Sequence, residues 1–168
     1  MKIILVISII SISIICSINS IKQIKNHTKF LRQCVLMIEN VSILLEYNSL
    51  PIQEIFKCLL KNESLYLLEF IEEICKKIDI SSDFEFVYSS SLNSLKEKYI
   101  DGEDKEYLLG FFSLLGKSDL NGQLSNCKLY KTFFKNKLNI VEKTEGEKCK
   151  TSIALNLGAG LCLSILIL

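Results

Sequence analysis

Residues 3–21 and 151–168 carry no charged side chain, whereas charged and apolar residues are mixed throughout the segment between them. Each uncharged stretch approaches the ~20 apolar residues a helix needs to cross a hydrocarbon layer of about 30 Å. The pattern predicts two terminal transmembrane helices, residues 1–21 and 151–168, flanking a domain of residues 22–150.

Inside that domain the apolar period is close to 3.6. Phe30, Leu31, Cys34, Val35, Ile38, Val41, Leu44 and Leu45 form one broad stripe, so residues 29–47 read as a long amphipathic helix. Asn48 and Ser49 end it, and Pro51 suits the first turn of the next helix, where a missing N–H costs nothing. Ile52, Ile55, Phe56, Leu59 and Leu60 give that helix its buried face, and Asn62 marks a break. Leu65, Leu68, Ile71 and Cys75 carry a helical pattern to about residue 79. Its pairs Glu72–Lys76 and Glu73–Lys77 place the acid first, which marks a solvated face rather than a catalytic carboxylate set. Ser81 and Ser82 offer caps for a fourth helix over residues 83–99, weakened by its run of serines at 89–91. Asp101-Gly102 signals a turn. A fifth helix over residues 103–115 shows the apolar face Tyr107, Leu108, Phe111, Phe112 and Leu115, and Gly116 suits its C-terminal end. Ser118 and Asp119 are good N-caps for a sixth helix, which no breaker interrupts before the chain end. The expected fold class is all-α: an antiparallel bundle of about six helices, with short loops, between two terminal membrane helices. The unbroken last helix would couple the domain rigidly to the second span.

Charge narrows the function classes. Lys+Arg number 20 against 19 Asp+Glu, and Lys2 is the only charge outside residues 22–150. A balanced domain lacks the basic excess of a nucleic-acid binder, so nucleic acid is excluded as a partner. Lys22, Lys25, Lys29 and Arg32 follow the first span, and Lys143, Lys148 and Lys150 precede the second. Basic flanks stay in the cytoplasm. The domain is therefore expected to be cytoplasmic, with both termini on the far side. The basic flank after the first span could also touch anionic lipid. An alternative reading makes the chain a surface-anchored helical binding protein, with residues 1–20 a cleaved signal peptide and the C-terminal stretch a membrane anchor, although the first apolar run exceeds a typical signal core and its cleavage site is poor.

Candidate chemistry is sparse. The seven cysteines are dispersed without a Cys-x-x-Cys pair, and His27 is the sole histidine. Neither a zinc site nor a disulfide framework is expected, and the thiols read as small apolar residues in a reduced compartment. No phosphate-binding loop, nucleophile–base pair, metal site or cofactor site is expected, and the protein does not read as an enzyme. The second span does carry order. Ala154, Gly158 and Cys162 recur every four residues, as do Ser152, Asn156, Gly160 and Ser164. Small residues at that spacing permit close helix approach in lipid, and Asn156 can hydrogen-bond across. The packing partner is either the first span or another membrane protein, and Gly158→Ile is expected to weaken it.

Three further stretches carry a family resemblance. Leu31-Arg32-Gln33 opens the long helix, and Tyr47-Asn48-Ser49-Leu50-Pro51-Ile52 closes it into the next. Leu115-Gly116-Lys117-Ser118-Asp119 with Gly122-Gln123 opens the last helix, and Leu157-Gly158 begins the apolar finish. In this order, with two terminal spans, the chain resembles stage III sporulation protein AB of endospore-forming bacteria over essentially its whole length. That family is similar to the platform proteins of type II secretion and type IV pilus machines. The resemblance implies a non-catalytic component of the channel between mother cell and forespore. It would sit in the mother-cell membrane beside a secretion-type ATPase and other channel proteins, in homo-oligomeric form or not. The implied motif residues are Leu31, Arg32, Gln33, Pro51, Leu115, Gly116, Ser118, Asp119 and Gln123, in a structural or a docking role. Two departures stand out. Ser42 and Leu44 occupy positions where the family commonly has acidic residues, and Leu50 replaces a Thr before Pro51, which leaves helix capping there to Ser49.

Overall fold

The computed structural model describes residues 2–48, 50–80, 83–94 and 99–167. The expected capping roles of Ser49, Ser81 and Ser82 lie outside the described residues, as does the end of the expected fourth helix at 95–98. The fold is all-α. Among the described residues six α-helices follow in order: α1 (Lys2–Asn48), α2 (Ile52–Leu60), α3 (Phe70–Ile78), α4 (Phe84–Asn93), α5 (Gly102–Leu114) and α6 (Leu120–Ile167). A 3-10 turn, Glu63–Leu65, stands between α2 and α3. Among the described residues there is no strand.

Two elements differ from the sequence reading in extent. The first span and the long amphipathic helix are one helix, because residues 22–28 contain neither Pro nor Gly to break it. Past Asn62 the expected helix starts late. The Asn62 side chain accepts from the Ser64 N–H at 3.0 Å and caps a short 3-10 turn, so α3 begins at Phe70. Pro51 sits one position outside α2, as its N-cap with φ −58° and ψ 151°, and its carbonyl accepts from the Ile55 N–H at 3.1 Å.

The chain divides into two compact units. One comprises Met1–Thr28 with Ile140–Leu168, the other Lys29–Asn139. In the second unit α2 packs on α3, α3 on α4 and α4 on α5. Its core takes Phe30, Leu31, Met37, Ile38 and Val41 from α1 and Phe134 from α6, all buried. A group of aromatic rings fills the centre. Phe112 lies 5.7 Å from Phe56, 5.8 Å from Phe70, 5.2 Å from Tyr88 and 5.1 Å from Phe111, centroid to centroid. Such pairs add about 0.5–1.5 kcal/mol each beyond the area they bury. Burial pushes the Tyr88 phenol well above its usual range.

In the first unit the two apolar helix ends pair. They are long and apolar enough to cross a membrane. Ile4, Ile7, Ile12, Ile15 and Ile18 of α1 face outward, as do Leu155, Leu161 and Leu163 of α6. Ser17 and Ser164 are buried while Ser8 and Ser11 are exposed, and each of these hydroxyls donates to the carbonyl four residues earlier. An outer surface that is mostly apolar, with hydroxyls bonded back to the helix backbone, fits a lipid surround.

Candidate functional site: the Gly116 junction, the Lys137 cluster and the paired spans

The junction between α5 and α6 is built from the Leu-Gly-x-Ser-Asp stretch. Leu115 ends α5 in extended conformation, 1% exposed, anchoring the turn in the core. Gly116 then takes φ +79°, the left-handed region that a side chain disfavours. A Cβ there would also collide with Cδ1 of Ile52, beside Pro51 at the start of α2. Two motif stretches far apart in sequence thus meet at one glycine.

Gln123 closes the turn from the other side. Its Oε1 accepts from the Gly116 N–H at 3.2 Å, and its Nε2 donates to the Ser118 carbonyl at 3.0 Å. Asp119 caps α6: its Oδ1 accepts from the Gly122 N–H at 3.0 Å, and its carbonyl from the Gln123 N–H at 3.0 Å. Gln33, 7% exposed, holds a separate loop, accepting from the Leu67 N–H at 2.8 Å. Leu31 is wholly buried. Arg32 is exposed on the wall of a groove of about 540 Å³ that also involves Lys29, Val35, Leu36 and Tyr66.

A second cluster has no counterpart in the motif stretches. Asp101 and Asp104 form a capping box at the start of α5: Asp101 Oδ1 accepts from the Asp104 N–H at 2.8 Å, and Asp104 Oδ2 from the Asp101 N–H at 3.2 Å. Asp104 is fully buried. Lys137 of α6, 14% exposed, meets it at 2.7 Å and also reaches Glu103 at 2.8 Å and Asp101 at 3.0 Å. The Lys137 ammonium hydrogen-bonds the Asp101 and Glu103 carboxylates and forms a close ion pair with Asp104. The signal was present in the sequence as Asp-x-x-Asp at 101–104, a variant of the capping-box spacing, but nothing there points to Lys137.

Burial works against the Lys137 charge, yet its hydrogen bonds to Asp104, Glu103 and Asp101 outweigh burial and hold it protonated beyond the ordinary lysine range. The Lys137 hydrogen bond, then that of Tyr107, holds the Glu103 carboxyl below its usual range. A raised cation stabilises the fold below the unfolded lysine pKa and loses that effect as pH rises through its folded value. A depressed carboxyl stabilises the fold above the unfolded pKa and loses the effect as pH falls through its folded value. The unfolding midpoint of the chain is therefore expected to be flat between about pH 5 and 8 and to fall on either side, with the buried Cys34, Cys127 and Tyr88 adding to the alkaline fall because burial raises all three. A denaturant titration across pH, repeated with Lys137→Met, checks this; the variant should show a shallower alkaline limb above about pH 10.

In the paired spans the two small-residue rows separate. A Cβ on Gly160 would collide with the Ser13 side chain, and Asn156 Nδ2 lies 3.5 Å from Ser20 Oγ. Ala154 and Cys162 are exposed, and a Cβ on Gly158 would have nothing within 4 Å. The row containing Asn156 and Gly160 therefore contacts the first span, while Ala154, Gly158 and Cys162 face outward. At the domain end of the pair, Thr28 Oγ1 donates to Glu145 Oε2 at 2.5 Å. Gly160→Val should lower the stability of the detergent-solubilised chain by about 1–3 kcal/mol through overpacking. Gly158→Val should change it by no more than about 0.5 kcal/mol. Denaturation of the two variants side by side separates the faces. The seven cysteines are all free thiols, with Cys34 and Cys127 buried.

Comparison with known proteins decides the family. The family model of stage III sporulation protein AB matches residues 2–168, both spans and the domain together. The chain belongs to the stage III sporulation protein AB family. No curated protein and no solved structure matches the chain. Membership links the chain to stage III of sporulation, and its two long apolar helices fit a membrane-associated member of that family.

Proposed function

We propose that the chain is a non-catalytic membrane platform in the channel between mother cell and forespore. Residues 22–150 lie in the cytoplasm and dock a secretion-type ATPase, while the spans hold the domain in the mother-cell membrane and contact other channel proteins. The observation that carries this reading is the family match over residues 2–168, which includes both apolar ends as well as the helical domain. The unbroken course of α6 from Leu120 to Ile167 supports it, because a continuous helix transmits force better than a jointed one.

The docking face is the groove between α1 and α6 of the helical domain. It encloses about 380 Å³ and is lined by Ile38, Glu39, Ser42, Ile43, Glu46 and Lys128, among others. Ile43 is 47% exposed there, an apolar contact rimmed by charge. Ser42, where the family commonly carries an acid, sits on this wall. Co-purification from sporulating cells tests the assignment. The full chain should bring down the ATPase, and Ile43→Asp should reduce the yield by at least about tenfold, as for loss of a central apolar anchor. Equal recovery with the variant would move the docking face elsewhere. No recovery with the native chain would overturn ATPase docking itself.

A further inference from the structure

Between the two spans, at the end nearer the helical domain, lies a cleft of about 600 Å³. Glu147 and Lys148 stand at one end, Ser152 lies one turn further along α6, and Leu155 and Asn156 stand at the other end, where Asn156 meets Ser20; Ile24 adds apolar surface. Glu147 and Leu155 are eight residues apart on α6, about 12 Å along the axis. Glu147 and Lys148 are exposed, and Ser152 and Asn156 are half-buried. On α1 the last uncharged stretch ends at residue 21, and on α6 the first begins at residue 151. The cleft therefore straddles the level at which the helix pair passes from charged to apolar surroundings. Its lining joins apolar surface to a few polar groups and a pair of opposite charges, which suits an amphipathic ligand.

We propose that this cleft binds one molecule of phosphatidylethanolamine. The Lys148 ammonium and the hydroxyl of Ser152 receive the lipid phosphate, the Glu147 carboxylate accepts from the lipid ammonium, and an acyl chain lies against Leu155. Adjacent opposite charges select a zwitterion over a purely anionic headgroup. A primary ammonium offers N–H donors to Glu147 that a choline headgroup lacks. The inference rests on the membrane placement of the spans proposed above.

Alkaline carbonate extraction of membranes from producing cells tests that placement first. Release of the full chain into the soluble fraction would overturn the placement and the lipid site together. If the chain stays with the membrane, native mass spectrometry of the delipidated, detergent-solubilised chain tests the site alone. Phosphatidylethanolamine, phosphatidylcholine, phosphatidylglycerol and inorganic phosphate are added separately. One phosphatidylethanolamine should be retained at least about tenfold more tightly than phosphatidylcholine, the effect of one charge-assisted hydrogen-bonded pair. Glu147→Gln should bring the two lipids level. Ser152→Phe should block both, and circular dichroism checks that it keeps its helices; Ser152→Ala, which removes only the hydroxyl, should weaken both. Equal retention of the two lipids by the native chain, or unchanged selectivity in Glu147→Gln, overturns the proposal. Tighter binding of phosphatidylglycerol overturns the zwitterion assignment. Binding of inorganic phosphate with the same loss in Lys148→Gln, and no lipid retention, shows a phosphate site and overturns the lipid.

Discussion

Lys137→Met should destabilise the chain by about 3–5 kcal/mol, because it removes the ammonium that pairs at 2.7 Å with a fully buried carboxylate. Asp104 would lose that ion pair while its cap contact to the Asp101 N–H stays, and Asp101 and Glu103 would repel one another across the start of α5. Whole domains are stable by about 5–15 kcal/mol, so this loss is about a fifth of the total or more. Lys131→Met is the matched control. Lys131 pairs with Glu39 at 2.7 Å, but both side chains are more than a third exposed. Its loss should cost no more than about 1 kcal/mol. Denaturant unfolding of both variants of the full chain in detergent measures the contrast, and similar midpoints would mean that Asp104 is neutralised in another way.

Gly116→Ala should cost about 2–3 kcal/mol from two separable causes. The left-handed backbone disfavours any Cβ by about 1–2 kcal/mol, and the new methyl overlaps the Ile52 side chain. A double-mutant cycle separates them. Adding Ile52→Ala to Gly116→Ala should relieve the overlap and leave the backbone cost. If Gly116→Ala alone is silent, the turn repacks and the junction does not depend on its glycine. The turn also sets where α6 starts, so the same variant should impair sporulation more than its stability loss accounts for.

Most of the helical layout was legible in the sequence. The 3.6-residue apolar stripe of residues 29–47, the helix over 103–115 and the unbroken last helix all rest on strong periodicity. Local competition was harder to see. The 3-10 turn after Asn62 forms because one amide side chain captures a backbone N–H, and no periodicity reports that. The fusion of the first span with the amphipathic helix follows from the lack of any breaker at residues 22–28, a signal the change in composition obscured. At the junction, Gly116, Asp119 and Gln123 were visible as a motif, and their hydrogen bonds follow local rules. Their meeting with Ile52 was not visible, since it depends on the packing of α2 against the turn. Lys137 was hidden for the same reason. One lysine among many on a charged helix becomes distinctive only when the fold places three carboxylates around it. In the second span, spacing identified two small-residue rows, but only the geometry shows that Gly160 rather than Gly158 meets the first span.

The central claim is a role in the sporulation channel, and deletion of the gene tests it most directly. Sporulating cells of the deletion strain would be followed by microscopy and assayed for heat-resistant spores. Arrest after engulfment, with small or collapsing forespores and rescue by the intact gene, is the predicted result. Normal numbers of heat-resistant spores in the deletion strain would contradict it.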